Sequence, residues 1–173
     1  MGILKNKCPM YLRDVTFKTE TIDGETRRIV QLSFKLEPFT KEMANSLNIA
    51  SHLFSADSGE PYGDFIAGTY GISVPLQTLD IAPAPDAPYS LDLRDVRVSG
   101  AISVRKDKEN PVLSANMAMT FPYPEAKELL FLAMNVNNQL FNTFTNQQAG
   151  LGLDTVDEPT LKTGEQQPTL AEA

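Results

Sequence analysis

Tryptophan is absent from this chain, histidine and cysteine occur once each, and no apolar run comes near the roughly 20 residues that a membrane-spanning helix needs. A single thiol, Cys8, allows no intrachain disulfide, which excludes a small stapled scaffold of the extracellular kind. The stretch from Met1 to Lys7 has no apolar core of the signal-peptide type, so a reducing, cytoplasmic setting with no membrane contact is expected. With His52 as the sole imidazole there is no obvious base for a serine or cysteine nucleophile, and no Cys/His spacing suits zinc. His52, between Ser51 and Leu53-Phe54, reads instead as a partly buried structural residue. The expectation is therefore a protein that is not an enzyme and carries no cofactor and no metal.

Positive charge is scarce as well. Fifteen Lys and Arg face 22 Asp and Glu, for a net charge of -7, so the chain as a whole is no polycation for duplex DNA or anionic lipid. What the 173 residues do hold is the balance of a folded domain, with 42% apolar and 21% charged side chains.

The pattern is one of strands. Val15, Phe17 and Thr19 alternate with polar neighbours, Asp23-Gly24 follows, and Val30, Leu32, Phe34 and Leu36 alternate again, which predicts a β-hairpin. Glu25-Thr26 suggest a turn longer than two residues. Pro38 closes the second strand, and Phe39 to Leu47 reads as a short helix capped by Thr40. Residues 48–69 read as a surface loop because turn formers crowd Ser55 to Asp64. Tyr70, Ile72, Val74 and Leu76 alternate around Pro75, and a proline in such a run places it at a sheet edge. Tyr70, Ile72, Val74 and Pro75 are accordingly the candidate protein-interaction residues. Ala82 to Pro88 is a stiff, proline-rich connector.

Beyond the connector the first pattern returns. Leu93-Arg94-Asp95-Val96 repeats Leu12-Arg13-Asp14-Val15, and Ala115, Met117, Met119 and Phe121 answer Val30, Leu32, Phe34 and Leu36. A helix from Pro124 follows, with Leu129, Leu132, Ala133, Val136, Leu140 and Phe144 as its apolar stripe and Asn135, Asn138, Gln139, Asn142 and Asn146 as a solvated amide face. The fold class expected is α+β: two β-hairpin/helix units, about 10–49 and 91–148, related by a pseudo-twofold and packed on one core, with an edge strand in the joining segment 50–90. Residues 1–149 form one domain on this reading. Residues 150–173 form a disordered acidic tail that holds Asp154, Asp157, Glu158, Glu165 and Glu172 against Lys162, which leaves -3 on the folded part.

Two binding surfaces compete on these residues. The leading expectation is a non-catalytic binding or assembly module acting through protein–protein contacts, with a homodimer as the natural self-association of an exposed strand edge. The alternative is a single-stranded nucleic-acid binder. Arg27 and Arg28 flank the first hairpin turn while Arg105, Lys106 and Lys108 flank the second, and paired tips would give a basic groove with Tyr62, Tyr70, Tyr89 or Tyr123 available for stacking. Asp57, Glu60 and Asp64 share one loop, but their spacing is not that of a calcium loop. In layout, a β-rich core followed by an acidic C-terminus resembles the bacterial and phage single-stranded-DNA-binding proteins, whose tails recruit partner enzymes and compete with DNA for the basic groove. The final Leu170-Ala171-Glu172-Ala173 lacks the dense acids and terminal Phe of their tip.

Overall fold

The computed structural model describes residues 7–63, 66–109, 112–122 and 124–147. The acidic segment 150–173, Asp64 and Tyr123 lie outside these residues. Strand β1 (Cys8–Ile22) and strand β2 (Glu25–Leu36) form the first hairpin. Ile22 pairs with Glu25, so the turn has only two residues, Asp23 and Gly24, both at positive φ. That conformation carries the right-handed twist of the strands through the reversal, and the longer turn expected from Glu25-Thr26 does not form. Helix α1 (Lys41–Ser46) starts where Thr40 Oγ1 accepts from the Met43 amide at 3.2 Å. The short helix α2 (Ala50–Leu53) follows.

Strands β3 (Ile66–Gly71) and β4 (Gln77–Ala82) then flank Pro75. Next come β5 (Leu91–Val98), β6 (Ala101–Lys106), β7 (Ser114–Pro122), helix α3 (Ala126–Met134) and β8 (Gln139–Asn146). The chain is thus mixed α+β and mostly β. Six antiparallel ladders close a ring: β1 on β2, β2 on β7, β7 on β5, β5 on β4, β4 on β8, and β8 back on β1. Strand β6 continues β5 along the same side of β7. Six residues from Val98 to Ser103 face only four on β7, Met119 to Asn116, so the strand bends at Ser99-Gly100. Strand β3 pairs with β6 and ends the sheet.

Among the described residues, apolar side chains from all six ring strands face the barrel interior. Met10 and Leu12 (β1), Leu32 and Phe34 (β2), Leu79 and Ile81 (β4), Met117 and Met119 (β7), and Leu140 and Phe144 (β8) are buried in the strand alternation, and Leu93 and Val96 (β5) are buried three residues apart. From the helices, Ala44, Ala50, Leu53 and Leu132 join the same cluster.

The expected helix over 124–144 is the main correction. It ends at Met134, and Asn135–Asn138, with Asn137 at φ 71, turn the chain into β8. Leu140 and Phe144 are four residues apart, a spacing that satisfies both a helical face and a strand face, and the alternation Leu140, Asn142, Phe144 decides for the strand. In α3, Ala133 is exposed and Leu132 is the one fully buried side chain. Its start is fixed by a capping box between Glu125 and Glu128.

The repeated tetrapeptide also means something other than expected. In β1 the register shifts between Leu12 and Asp14, and on β5 it shifts between Leu93 and Val96. Each Leu-Arg-Asp-Val therefore carries a β-bulge whose extra residue lets a leucine and a valine three apart turn toward one face. Asp95, at φ 57, has its amide and carboxylate bound to the Gln147 side chain. The two bulges do not occupy matching registers: Leu12 lies opposite Phe34, but Val98 rather than Leu93 lies opposite Met119. A pseudo-twofold between the halves is not shown by these ladders.

Candidate functional site

A closed ring leaves few open strand edges, and their positions define the candidate surface. Strand β1 is held by β8 only through Cys8–Tyr11, and the Leu12 backbone then exchanges bonds with Asn137 and Asn138. From Arg13 to Ile22 the described residues place no strand on that side, because β8 begins at Gln139 and the chain before it is turn and helix. The second edge is β3, bonded to β6 on one side only.

Of the residues expected at an edge, Tyr70 lies in β3. Ile72 and Val74 fall in the break between β3 and β4, where Ile72 is buried and donates to Gly100 O at 2.9 Å and Val74 packs against the core. Pro75 is exposed at that break. A single edge strand through Pro75 is thus replaced by an outer strand, β3, and a central one, β4. The segment read as a surface loop contributes Ile49, Leu53 and Phe54 to the core. His52 is exposed and stacks on Tyr70 with ring centroids 5.8 Å apart.

The basic positions are not brought together. Arg27 and Arg28 lie beyond the Ile29–Pro122 end of the β2–β7 ladder, whereas Arg105 pairs with Ser114 beyond its Leu36–Ala115 end. Eight residue pairs at about 3.3 Å each separate the two groups by about 25 Å. Most are also paired. Arg27 donates to Glu20 Oε2 through Nε at 3.0 Å and Nη2 at 2.8 Å, Arg105 binds Asp107 at 3.0 Å, and Lys106 donates to Gly63 O at 2.8 Å. The Asp107 carboxylate holds the exposed Arg105 guanidinium further toward its charged form. Lys108 is exposed in the loop beyond β6, and Tyr62 and Tyr89 are exposed far from one another in sequence. Among the described residues no three His, Cys, Asp or Glu side chains gather as a metal site.

A feature not anticipated from the sequence is Phe17. It stands on the open part of β1, 65% exposed, and with Lys18, Thr19, Arg28, Ile29, Pro124 and Leu129 it lines a cleft of about 450 Å³. The signal was present: beyond Phe17 the strand reads Lys-Thr-Glu-Thr, polar on both faces, which no buried strand can be. On the outer face nearby, Glu20 lies between two guanidiniums, Arg27 at 2.8 Å and Arg97 at 3.9 Å.

Against protein families, curated proteins and solved structures, the chain has no match.

One polar group inside the barrel ties two strands together. Gln77 is fully buried and its Nε2 bridges Pro75 O and Asn146 Oδ1, both at 2.8 Å, pinning β4 to β8 as the chain emerges from the proline break. Cys8 is buried in β1 opposite Asn142, and burial pushes its thiol up to about 11 from 9.0. The raised value means that the folded state favours the protonated thiol. Its contribution is complete below pH 9.0 and is lost as pH rises toward about 11. The native chain should react slowly with iodoacetamide at pH 8 and rapidly once unfolded in urea, a contrast read by mass spectrometry. Fast native alkylation would show that β1 does not hold Cys8 as described.

Proposed function

We propose that the protein is a non-catalytic, cytoplasmic binding or assembly module that acts through protein–protein contacts along its open strand edges. The observation that carries this reading is the ten-residue stretch of β1 beyond Leu12 that no described strand covers, together with the one-sided strand β3. Unpaired main-chain donors and acceptors are templates for an added strand, and a neighbouring exposed aromatic supplies side-chain contact. The buried apolar side chains of the described strands support the same reading, since they fill the barrel interior with packing contacts.

Edge proline tests it. The Ile72 amide bonds Gly100 O, so by antiparallel alternation the Thr69 amide faces away from β6, and Thr69→Pro removes an edge donor while sparing the ladder. Affinity capture with the full chain should retain a protein, itself or another, that chains with proline at the β3 or β1 edge no longer retain. Capture of no protein, or capture indifferent to both edges, would overturn the proposal.

A second reading, a single-stranded nucleic-acid binder, is favoured by the cleft in which Phe17 meets Lys18 and Arg28, because an exposed ring beside two cations suits a stacked base and its phosphate. On that reading Phe17→Ala costs about 1–3 kcal/mol of oligonucleotide affinity in an anisotropy titration, and Arg105→Glu at the far end has little effect.

A further inference from the structure

We propose that the open half of β1 is a self-docking edge, and that two copies of this chain pair their β1 strands antiparallel about Thr19. The inference deepens the assembly reading by naming the partner, and rests on it.

Backbone direction comes first. In a two-residue hairpin the residues flanking the turn, Ile22 and Glu25, exchange main-chain bonds, so along β1 the groups of Ile22, Glu20, Lys18 and Thr16 point to β2. Those of Thr21, Thr19 and Phe17 then point to the open side. An edge with three successive outward main-chain sites that no described strand pairs matches what an added antiparallel strand requires.

Register comes next. Two identical strands related by a twofold normal to the sheet place residue on residue only if they share a face, so the axis passes through a residue position. An axis at Lys18 sets ammonium against ammonium, and one at Glu20 sets carboxylate against carboxylate. An axis at Thr19 sets Lys18 opposite the partner's Glu20, and by symmetry Glu20 opposite the partner's Lys18. These are the non-hydrogen-bonded positions, where facing side chains are closest. Glu20 is suited to this, since its side chain is 26% exposed, Arg27 engages its Oε2, and Arg97 lies 3.9 Å from its Oε1. On the opposite face Phe17 lies across from the partner's Thr21, which gives its exposed ring a surface to cover. The result joins two hairpins into one continuous four-stranded sheet, β2-β1-β1-β2.

Mixing two charge variants tests the register. Lys18→Glu should weaken the dimer about tenfold or more by facing two carboxylates, and Glu20→Lys should do the same by facing two ammoniums. Mixed in equal amounts, the two variants should form a heterodimer in which both pairs are opposite in sign. Sedimentation velocity reads all three samples, and a circular-dichroism melt of each confirms that it is folded. Thr19→Pro, which removes the central edge donor and spares the β2 ladder, should be monomeric and folded. A wild-type chain that is monomeric up to submillimolar concentration overturns the inference, whether or not it binds an oligonucleotide. So does a dimer indifferent to these substitutions, or a pair of variants that fail to rescue one another. A monomer that still captures another protein through its edges would sink only the self-docking and leave the assembly reading standing.

Discussion

Replacing Phe144 with alanine is expected to destabilise the fold by about 3–5 kcal/mol in urea denaturation, while Met134→Ala changes it by less than about 0.5 kcal/mol. The contrast follows from where the chain stops being helical. Phe144 is buried on β8 opposite Leu79, in the layer that also holds Leu93, and β8 is the strand that joins β4 to β1 and closes the ring. Removing its ring leaves a cavity walled by three strands that cannot collapse independently, because each is held by a ladder on both sides. Met134 is 71% exposed at the end of α3 and leaves nothing unfilled. If 124–144 were one continuous amphipathic helix, Ala133 would lie under the core and Ala133→Glu would be severe. With Ala133 exposed, that substitution should be tolerated. Equal losses at Phe144 and Met134, or a severe Ala133→Glu, would refute the strand assignment of β8.

How far the fold could be read from the chain depended on whether a pattern had one meaning. The first hairpin did, because Asp-Gly between two alternating runs has few other solutions, and so did the short helix after Thr40, where a cap residue precedes an apolar periodicity. Ambiguity entered wherever two periods coincide. Leu140 and Phe144 satisfy both, and nothing local distinguishes an amide on a helix face from one pointing into a barrel. Ring closure was not legible at all, since β8 pairs with a strand more than a hundred residues earlier and no local signal carries that information. The repeated Leu-Arg-Asp-Val was visible, but its message was a bulge. A motif that breaks strand alternation by one residue marks a local bend, and shared bends need not make two halves equivalent.

The candidate surface was legible in chemistry rather than in place. Arg27 and Arg105 do lie near hairpin ends, yet antiparallel pairing of β2 with β7 sends those ends to opposite sides of the molecule. Two tips can share a groove only if their hairpins run the same way, and sequence gives no direction. By alternation alone Phe17 is indistinguishable from Val15 on the same strand face. Its exposure arises because β1 outruns β8 by ten residues, a mismatch in strand length that appears only when both are placed.

Asn142→Leu is expected to raise stability by about 1–3 kcal/mol, an unusual sign for a core substitution. Asn142 is fully buried, and neither its Nδ2 nor its Oδ1 has a hydrogen-bond partner among the described residues. Its cross-strand neighbours are Cys8 on β1 and Ile81 on β4, both apolar in character and both buried. An amide held dry without partners keeps its full desolvation cost, and leucine, of similar size, removes that cost and adds contact with Ile81. Gln77 is the internal control. Two of its bonds are made, so Gln77→Leu should lose stability where Asn142→Leu gains it. Asn142→Asp sharpens the comparison, because a carboxylate there is buried between Cys8 and Ile81 and should favour its protonated form in the folded state. The Asp variant is then destabilised above the ordinary carboxylate range and recovers as the pH is lowered through it. Loss of stability in the leucine variant would mean instead that the amide of Asn142 holds a buried water or polar partner inside the barrel, and the interior would no longer count as dry.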